Sequence, residues 1–190
     1  EWALAPELQT SLGRIAAREA IDRHLSVWTR ANAPHDVMHR LQARGVPAAA
    51  LPADLARDFR LMLAECHLRA QRTEEARQEL RALLSSGESD LAAFRAAELW
   101  LAHWPQPDSR DLARKLGTVL AKQRDFAAAV PLLEQALEGT TDLGSGDDSA
   151  ALYLLARAEF WSGKFAAAAG HFDRLAAVAR QAAIRADARY

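Results

Sequence analysis

One arrangement of small and large apolar residues recurs along this chain, and the recurrence restricts the fold more than any single residue does. Leu116-Gly117, Ala129, Leu133 and Ala136 surround a turn at Arg124-Asp125-Phe126. Leu155-Ala156, Ala168, Phe172 and Leu175 surround a second turn at Gly163-Lys164-Phe165, with Phe126 and Phe165 39 residues apart. A weaker copy, Leu63-Ala64, Ala76, Leu80 and Leu83, surrounds Gln71-Arg72-Thr73. Apolar residues three, four or seven apart on both sides of a short turn read as helix, turn, helix. The small residues Gly117 and Ala129, or Ala156 and Ala168, are expected where two antiparallel helices cross, because small side chains permit close approach. The larger Leu and Phe are expected to fill the groove to the neighbouring unit.

Composition removes the alternatives to helix. The chain holds 43 Ala and 27 Leu among 190 residues, against 9 Val plus Ile and 16 Gly plus Pro. Ala and Leu are strong helix formers, and strands favour the β-branched residues that are scarce here. The expected fold class is therefore all-α. A formal net charge of −1 gives no basic signature of a nucleic-acid binder. No run approaches the roughly 18–20 apolar residues of a membrane span. The single Cys66 can form neither an internal disulfide nor a multi-cysteine zinc site. Arg outnumbers Lys 21 to 3, which reads as codon bias rather than chemistry.

Punctuation divides the chain unequally. Residues 12–29 carry one buried stripe, broken at Asn32-Ala33-Pro34, and a further helix runs to about Arg44, with Gly45 as a left-handed stop. The segment Gly45 to Pro52 reads as extended, since proline disfavours helix in the residue before it. This gives a helical N-terminal segment, 1–52, and a helical-repeat domain, 53–190. An extra helix at about 89–104 interrupts the array, stretching the interval between the first two copies to 53 residues. The chain opens at Glu1-Trp2 without an initiator Met and closes inside a helical composition, which reads as a piece of a larger, bacterial protein.

The segment Leu116 to Leu137, reading LGTVLAKQRDFAAAVPLLEQAL, resembles the tetratricopeptide repeat, a helix–turn–helix unit of about 34 residues. The copy at about 149–182 departs by Ala156 in place of Gly and Leu175 in place of the last Ala. The copy at about 57–90 lacks the aromatic after the turn. The resemblance, over about 57–190, implies antiparallel helical hairpins stacked as a right-handed superhelix. It also implies a concave groove, lined by the first helix of each unit, that holds a protein or peptide. The groove-facing positions it implies are Arg114, Thr118 and Lys122, then Tyr153, Arg157, Phe160 and Trp161, with Leu61, Glu65 and Arg69 in the first copy. Arg, Lys and aromatics suit an extended acidic or aromatic segment, because Trp, Tyr and Arg dominate interface energetics. Thr118 stands where binders of a terminal carboxylate carry Asn, so that specialisation is not implied. Self-association is a further possibility such a surface leaves open.

Residues 1–57 carry a different pattern: Trp28-Thr29, Val37-Met38, Leu41-Gln42 and Gly45-Val46-Pro47-Ala48. It is similar to the C-terminal part of family III CoA transferases, the group containing formyl-CoA and carnitine CoA transferases. In that family the nucleophilic Asp and the CoA-binding halves lie upstream of the matched region. The resemblance therefore implies a remnant or fusion without catalytic machinery.

Four local motifs invite chemistry, and each has a plainer reading. His35 and His39 lie i,i+4 on one helix face, as in the His-Glu-x-x-His metalloproteases. Asp36 stands where the general-base Glu should be, no third ligand follows, and a solvated helix start explains the pattern. Cys66 and His67 are adjacent and point about 100° apart on a helix, so packing is expected rather than nucleophilic catalysis. Asp142 to Ser149 has the oxygen density of an ion-binding loop but the spacing of neither an EF-hand nor a P-loop. Asp148 or Ser149 is expected to cap the next helix. Trp100 and Trp104 share a face and are expected to pack the extra helix against its neighbours. The expectation is a non-enzymatic scaffold with no metal and no cofactor, cytoplasmic or, as in secretion and polysaccharide-export systems, periplasmic.

Overall fold

A computed structural model describes residues 53–140 and 146–187. The His35–His39 motif, the boundary at 52, nearly all of the transferase-like segment and residues 142–145 of the 142–149 loop lie outside the described residues. The chain divides into two compact units, Glu1–Leu83 and Leu84–Tyr190, and each is described by itself. Among the described residues there are seven α-helices and no strand: α1 (Ala53–Arg69), α2 (Thr73–Ser85), α3 (Leu91–His103), α4 (Arg110–Lys122), α5 (Phe126–Leu137), α6 (Gly146–Trp161) and α7 (Phe165–Asp187). The all-α fold class is as the sequence indicates, and α3 is the helix expected at about 89–104.

The three turns of the sequence pattern are one backbone motif repeated. Gln71, Arg124 and Gly163 occupy the same register in their copies and have φ of 59°, 67° and 80°. Each helix stops there with the same pair of hydrogen bonds. The amides of Arg72, Asp125 and Lys164 each donate to the carbonyl five residues back, on His67, Leu120 and Glu159, at 2.9 Å in all three. The amides of Gln71, Arg124 and Gly163 donate to Leu68, Ala121 and Phe160 at 3.0–3.2 Å. These are the two bonds of a left-handed helix stop, which satisfy carbonyls the helix end would otherwise orphan. The second helix then begins at once. Its first turn closes when Ala76, Ala129 and Ala168 donate to the carbonyls of Arg72, Asp125 and Lys164 at 3.0–3.1 Å. All three alanines are essentially fully buried, which explains why the pattern keeps a small residue there.

In the second unit the hairpins α4–α5 and α6–α7 stack, with α5 and α4 both packed on α6. Asp90, Ser109 and Asp125 cap α3, α4 and α5 by accepting from the amides of Ala93, Leu112 and Ala128 at 2.8, 3.2 and 3.2 Å. Helix α4 buries Leu112, Ala113, Leu116, Gly117, Val119, Leu120 and Ala121. Side chains tie the connections down. Gln123 donates to the Ser89 carbonyl at 2.9 Å, Arg174 to the Thr140 carbonyl at 3.2 Å, and Arg110 to the Glu138 carbonyl. In the first unit, Arg60 of α1 reaches Glu79 of α2 at 3.4 Å.

Gly117 fills its expected place at a helix crossing, but the side chain it makes room for is Leu133. A Cβ at this position would lie 2.7 Å from Leu133 Cγ, 2.9 Å from its Cδ2 and 3.2 Å from its backbone nitrogen. Leu133 is fully buried and cannot step aside. Gly117→Ala is therefore expected to destabilise the chain by about 1–2 kcal/mol, overpacking outweighing a helix-propensity gain of up to about 1 kcal/mol. The readout is the midpoint of urea unfolding; an unchanged or higher midpoint would contradict the close approach. Leu133 and Phe172 share a register, yet Leu133 is fully buried and Phe172 is 37% exposed, so only Leu133 fills the groove as expected.

One register carries an anomaly. The residue whose carbonyl closes each turn is His67, Leu120 or Glu159, and all three are buried. Leu120 is apolar, as a core demands, and Leu132, one helical turn short of the end of α5's buried stripe, is buried too. In the last hairpin the same two registers hold Glu159, 2% exposed, and His171 of α7, joined at 2.7 Å from Oε2 to Nδ1. A hydrogen-bonded polar pair therefore replaces an apolar one in the α6–α7 hairpin.

Candidate functional site

Side chains that reach solvent from the first helices α4 and α6 lie side by side, because these helices touch. On α4 the period places Arg114, Thr118 and Lys122 four apart on one face. Arg114 and Thr118 are half-buried and Lys122 is exposed. On α6, Tyr153 and Arg157 are four apart, and Phe160 and Trp161 follow three and four residues later. All four are exposed, Trp161 the most at 65%. In α1, Arg69 is exposed while Leu61 and Glu65 are half-buried.

The aromatic side chains of α6 belong to two groups of touching rings. The Phe160 ring lies edge-on to Trp161 at 5.6 Å and to Phe165 of α7 at 5.4 Å. Tyr153 meets Phe172 at 6.2 Å. The Arg157 guanidinium rests over the Tyr153 ring, 5.6 Å from its centroid, a cation–π contact that holds the charge at the surface. From Tyr153 to Trp161 the outward face of α6 is thus aromatic apart from Arg157. A soluble surface helix normally shows a polar face instead.

The charges on this surface are segregated along the helices. At the N-terminal ends, Arg114 contacts Asp111 at 2.7 Å, Asp147 at 3.1 Å and Asp148 at 3.8 Å. Lys115 contacts Asp111 at 2.5 Å. Hydrogen bonds from Lys115 and Arg114 hold the Asp111 carboxyl below the usual range, and the bond to Asp111 raises Arg114. Arg114 is thus already occupied by three carboxylates. At the C-terminal ends the situation reverses: no carboxylate among the described residues pairs with Lys122 or Arg157. Glu159, the acidic residue closest in sequence to Arg157, is turned into the core and held by His171.

The other motifs resolve into structure. Cys66 is 2% exposed and burial pushes its thiol up, away from the thiolate a nucleophile needs. His67 is 6% exposed and burial pushes its imidazole down, toward the neutral form. Helix α6 begins at Gly146, so Asp148 and Ser149 lie inside its first turn rather than at a cap. There Asp147 and Asp148 meet the positive end of the helix and Arg114 together. Trp100 packs fully buried within α3's alanine face, with Trp104 5.2 Å away. Among the described residues no cluster of three or more potential metal ligands occurs, and no helix is long and apolar enough to cross a membrane.

Two family models match, both described as tetratricopeptide repeat, over residues 39–106 and 120–188. The chain is a tetratricopeptide-repeat protein. The stacked hairpins α4–α5 and α6–α7 are the helical-repeat architecture that family shares, and such repeats generally mediate protein interactions. No curated protein and no solved structure matches this repeat protein significantly. Sequence reasoning had the outward positions of α4 and α6 but missed Phe165 and Phe172, which extend these aromatic groups onto α7. The signal for Phe165 was its place directly after the turn, beside Phe160. It also missed the carboxylates around Arg114: Asp111, three residues earlier on α4, and Asp147 and Asp148, which arrive on α6 beyond the inserted loop and which no helical period reveals.

Proposed function

We propose that this repeat protein is a non-catalytic scaffold that holds a protein partner, or an extended and acidic peptide segment of one, along the outward faces of α4 and α6. The observation that supports this most is the run of solvent-facing Lys122, Tyr153, Arg157, Phe160 and Trp161 on two touching helices. Solvating that much aromatic surface is unfavourable, and aromatic and Arg side chains are the ones that anchor interfaces. Half-buried Arg114 and Thr118 shape the floor of the surface rather than reach from it. No cofactor has a role in this reading, and its compartment is cytoplasmic or periplasmic.

The test is selection of displayed random linear peptides on the whole chain. Enrichment is expected on the parent and is expected to be lost on the Lys122→Glu/Tyr153→Ala variant, whose helical circular dichroism should match the parent's. Peptides that bind parent and variant alike, or no enrichment at all, would sink the assignment of this surface.

A further inference from the structure

Resting on that reading, we propose that Arg157 is the specificity-determining residue of the surface: it takes a carboxylate of the partner that directly adjoins an aromatic or large aliphatic side chain. The argument starts from which cations are available. Arg114 has the greatest number of acidic neighbours on the page, with three carboxylates within 4 Å, so it offers an incoming anion little. Arg157 has none among the described residues, and its guanidinium is held against the Tyr153 face. Stacking on a ring leaves the edge of the guanidinium fork free to meet a carboxylate with two parallel hydrogen bonds.

The walls around this cation dictate what lies next to the carboxylate. Tyr153 stands one turn before Arg157, and Phe160 and Trp161 one turn after it, all exposed. Phe165 extends the wall at 5.4 Å from Phe160. An aspartate or glutamate on Arg157 therefore places its sequence neighbour against aromatic rings, where an apolar side chain is desolvated and a charged one is not compensated. Flanking apolar contact also lowers the local dielectric, which strengthens the ion pair.

The polarity of the surface further restricts the partner. Asp111, Asp147 and Asp148 at the N-terminal ends outnumber Arg114 and Lys115, while Lys122 and Arg157 at the C-terminal ends are uncompensated. A continuous polyanion such as a nucleic-acid strand would run its phosphates into that acidic end. A peptide with its carboxylate at one place would not. The chemistry is that of an acidic–aromatic peptide motif.

The same peptide selection decides the matter when repeated on Arg157→Glu and Arg157→Lys, both at a solvent-facing position that leaves the core intact. Parent winners are expected to carry Asp or Glu beside Phe, Trp, Tyr or Leu. They should bind Arg157→Glu about tenfold or more weakly and Arg157→Lys with an intermediate loss. Selection on Arg157→Glu should exchange the acidic residue for Lys or Arg while keeping the apolar neighbour. Winners lost on Lys122→Glu/Tyr153→Ala but free of any acidic preference and indifferent to Arg157→Glu would overturn this inference and leave the broader reading standing. Winners indifferent to both variants would overturn both. Displacement of the winning peptide by oligothymidylate, itself lost on Arg157→Glu, would assign the site to nucleic acid and overturn the peptide motif.

Discussion

Replacing His171 by Leu is expected to lower the unfolding free energy by about 2–3 kcal/mol, the cost of leaving a buried carboxyl group without its hydrogen-bond partner. Glu159 is 2% exposed, and its Oε2 is 2.7 Å from His171 Nδ1, the one hydrogen-bond partner of its side chain among the described residues. The double variant Glu159→Leu/His171→Leu should behave quite differently. It recreates the pairing of Leu120 and Leu132 that the preceding hairpin buries at the same registers. Replacing both partners of a buried hydrogen bond by apolar side chains is often neutral or stabilising, so the double variant should sit within about 1 kcal/mol of the parent or above it. Urea denaturation of the parent, the single variant and the double variant measures this directly. A His171→Leu protein as stable as the parent would show that the pair is not a closed one. A double variant as unstable as the single one would show that the hairpin needs the polar pair for its geometry.

That pair also marks the limit of what the chain discloses in one dimension. The three hairpins were legible because local rules fix them. The same spacing of large and small apolar residues, with a buried alanine five residues after the left-handed one, recurs around Gln71, Arg124 and Gly163. Helix α3 was legible for the same reason, with Asp90 capping its start and Pro105 following its end. Glu159 was not legible, since a glutamate read singly belongs at the surface; only its register with Leu120 reveals that it is inside. The candidate surface divides along the same line. Helical period puts Arg157 and Trp161 on one face, and both reach solvent. It puts Arg114 there too, but says nothing of Asp147 and Asp148, which arrive from the next repeat across an inserted loop. Contacts between repeats depend on how hairpins stack, and that is a property of three dimensions.

Trp100→Ala is expected to cost about 4 kcal/mol, while Trp104→Ala should cost roughly 1–2 kcal/mol, although the two rings lie 5.2 Å apart on one helix face. The difference follows from where each ring ends. Trp100 is fully buried on the stripe of α3 that also buries Ala92, Ala93, Ala96 and Ala97. Four alanines cannot fill space by themselves, so a single indole provides most of the volume on that face. Removing it leaves a hole that neighbouring methyl groups are too short to close, and the cost of such a hole rises with the volume that cannot collapse. Trp104 is half-buried at the C-cap, where its backbone amide donates to the Trp100 carbonyl at 2.7 Å, a bond that alanine keeps. Its ring loses contact on one side only. If these tryptophans instead formed a stacking platform for a ligand, the exposed ring would matter most to binding and neither would matter much to folding. Equal, small shifts in the urea midpoint for both variants would therefore remove the packing role of α3, and a markedly larger loss for Trp100→Ala than for Trp104→Ala establishes it.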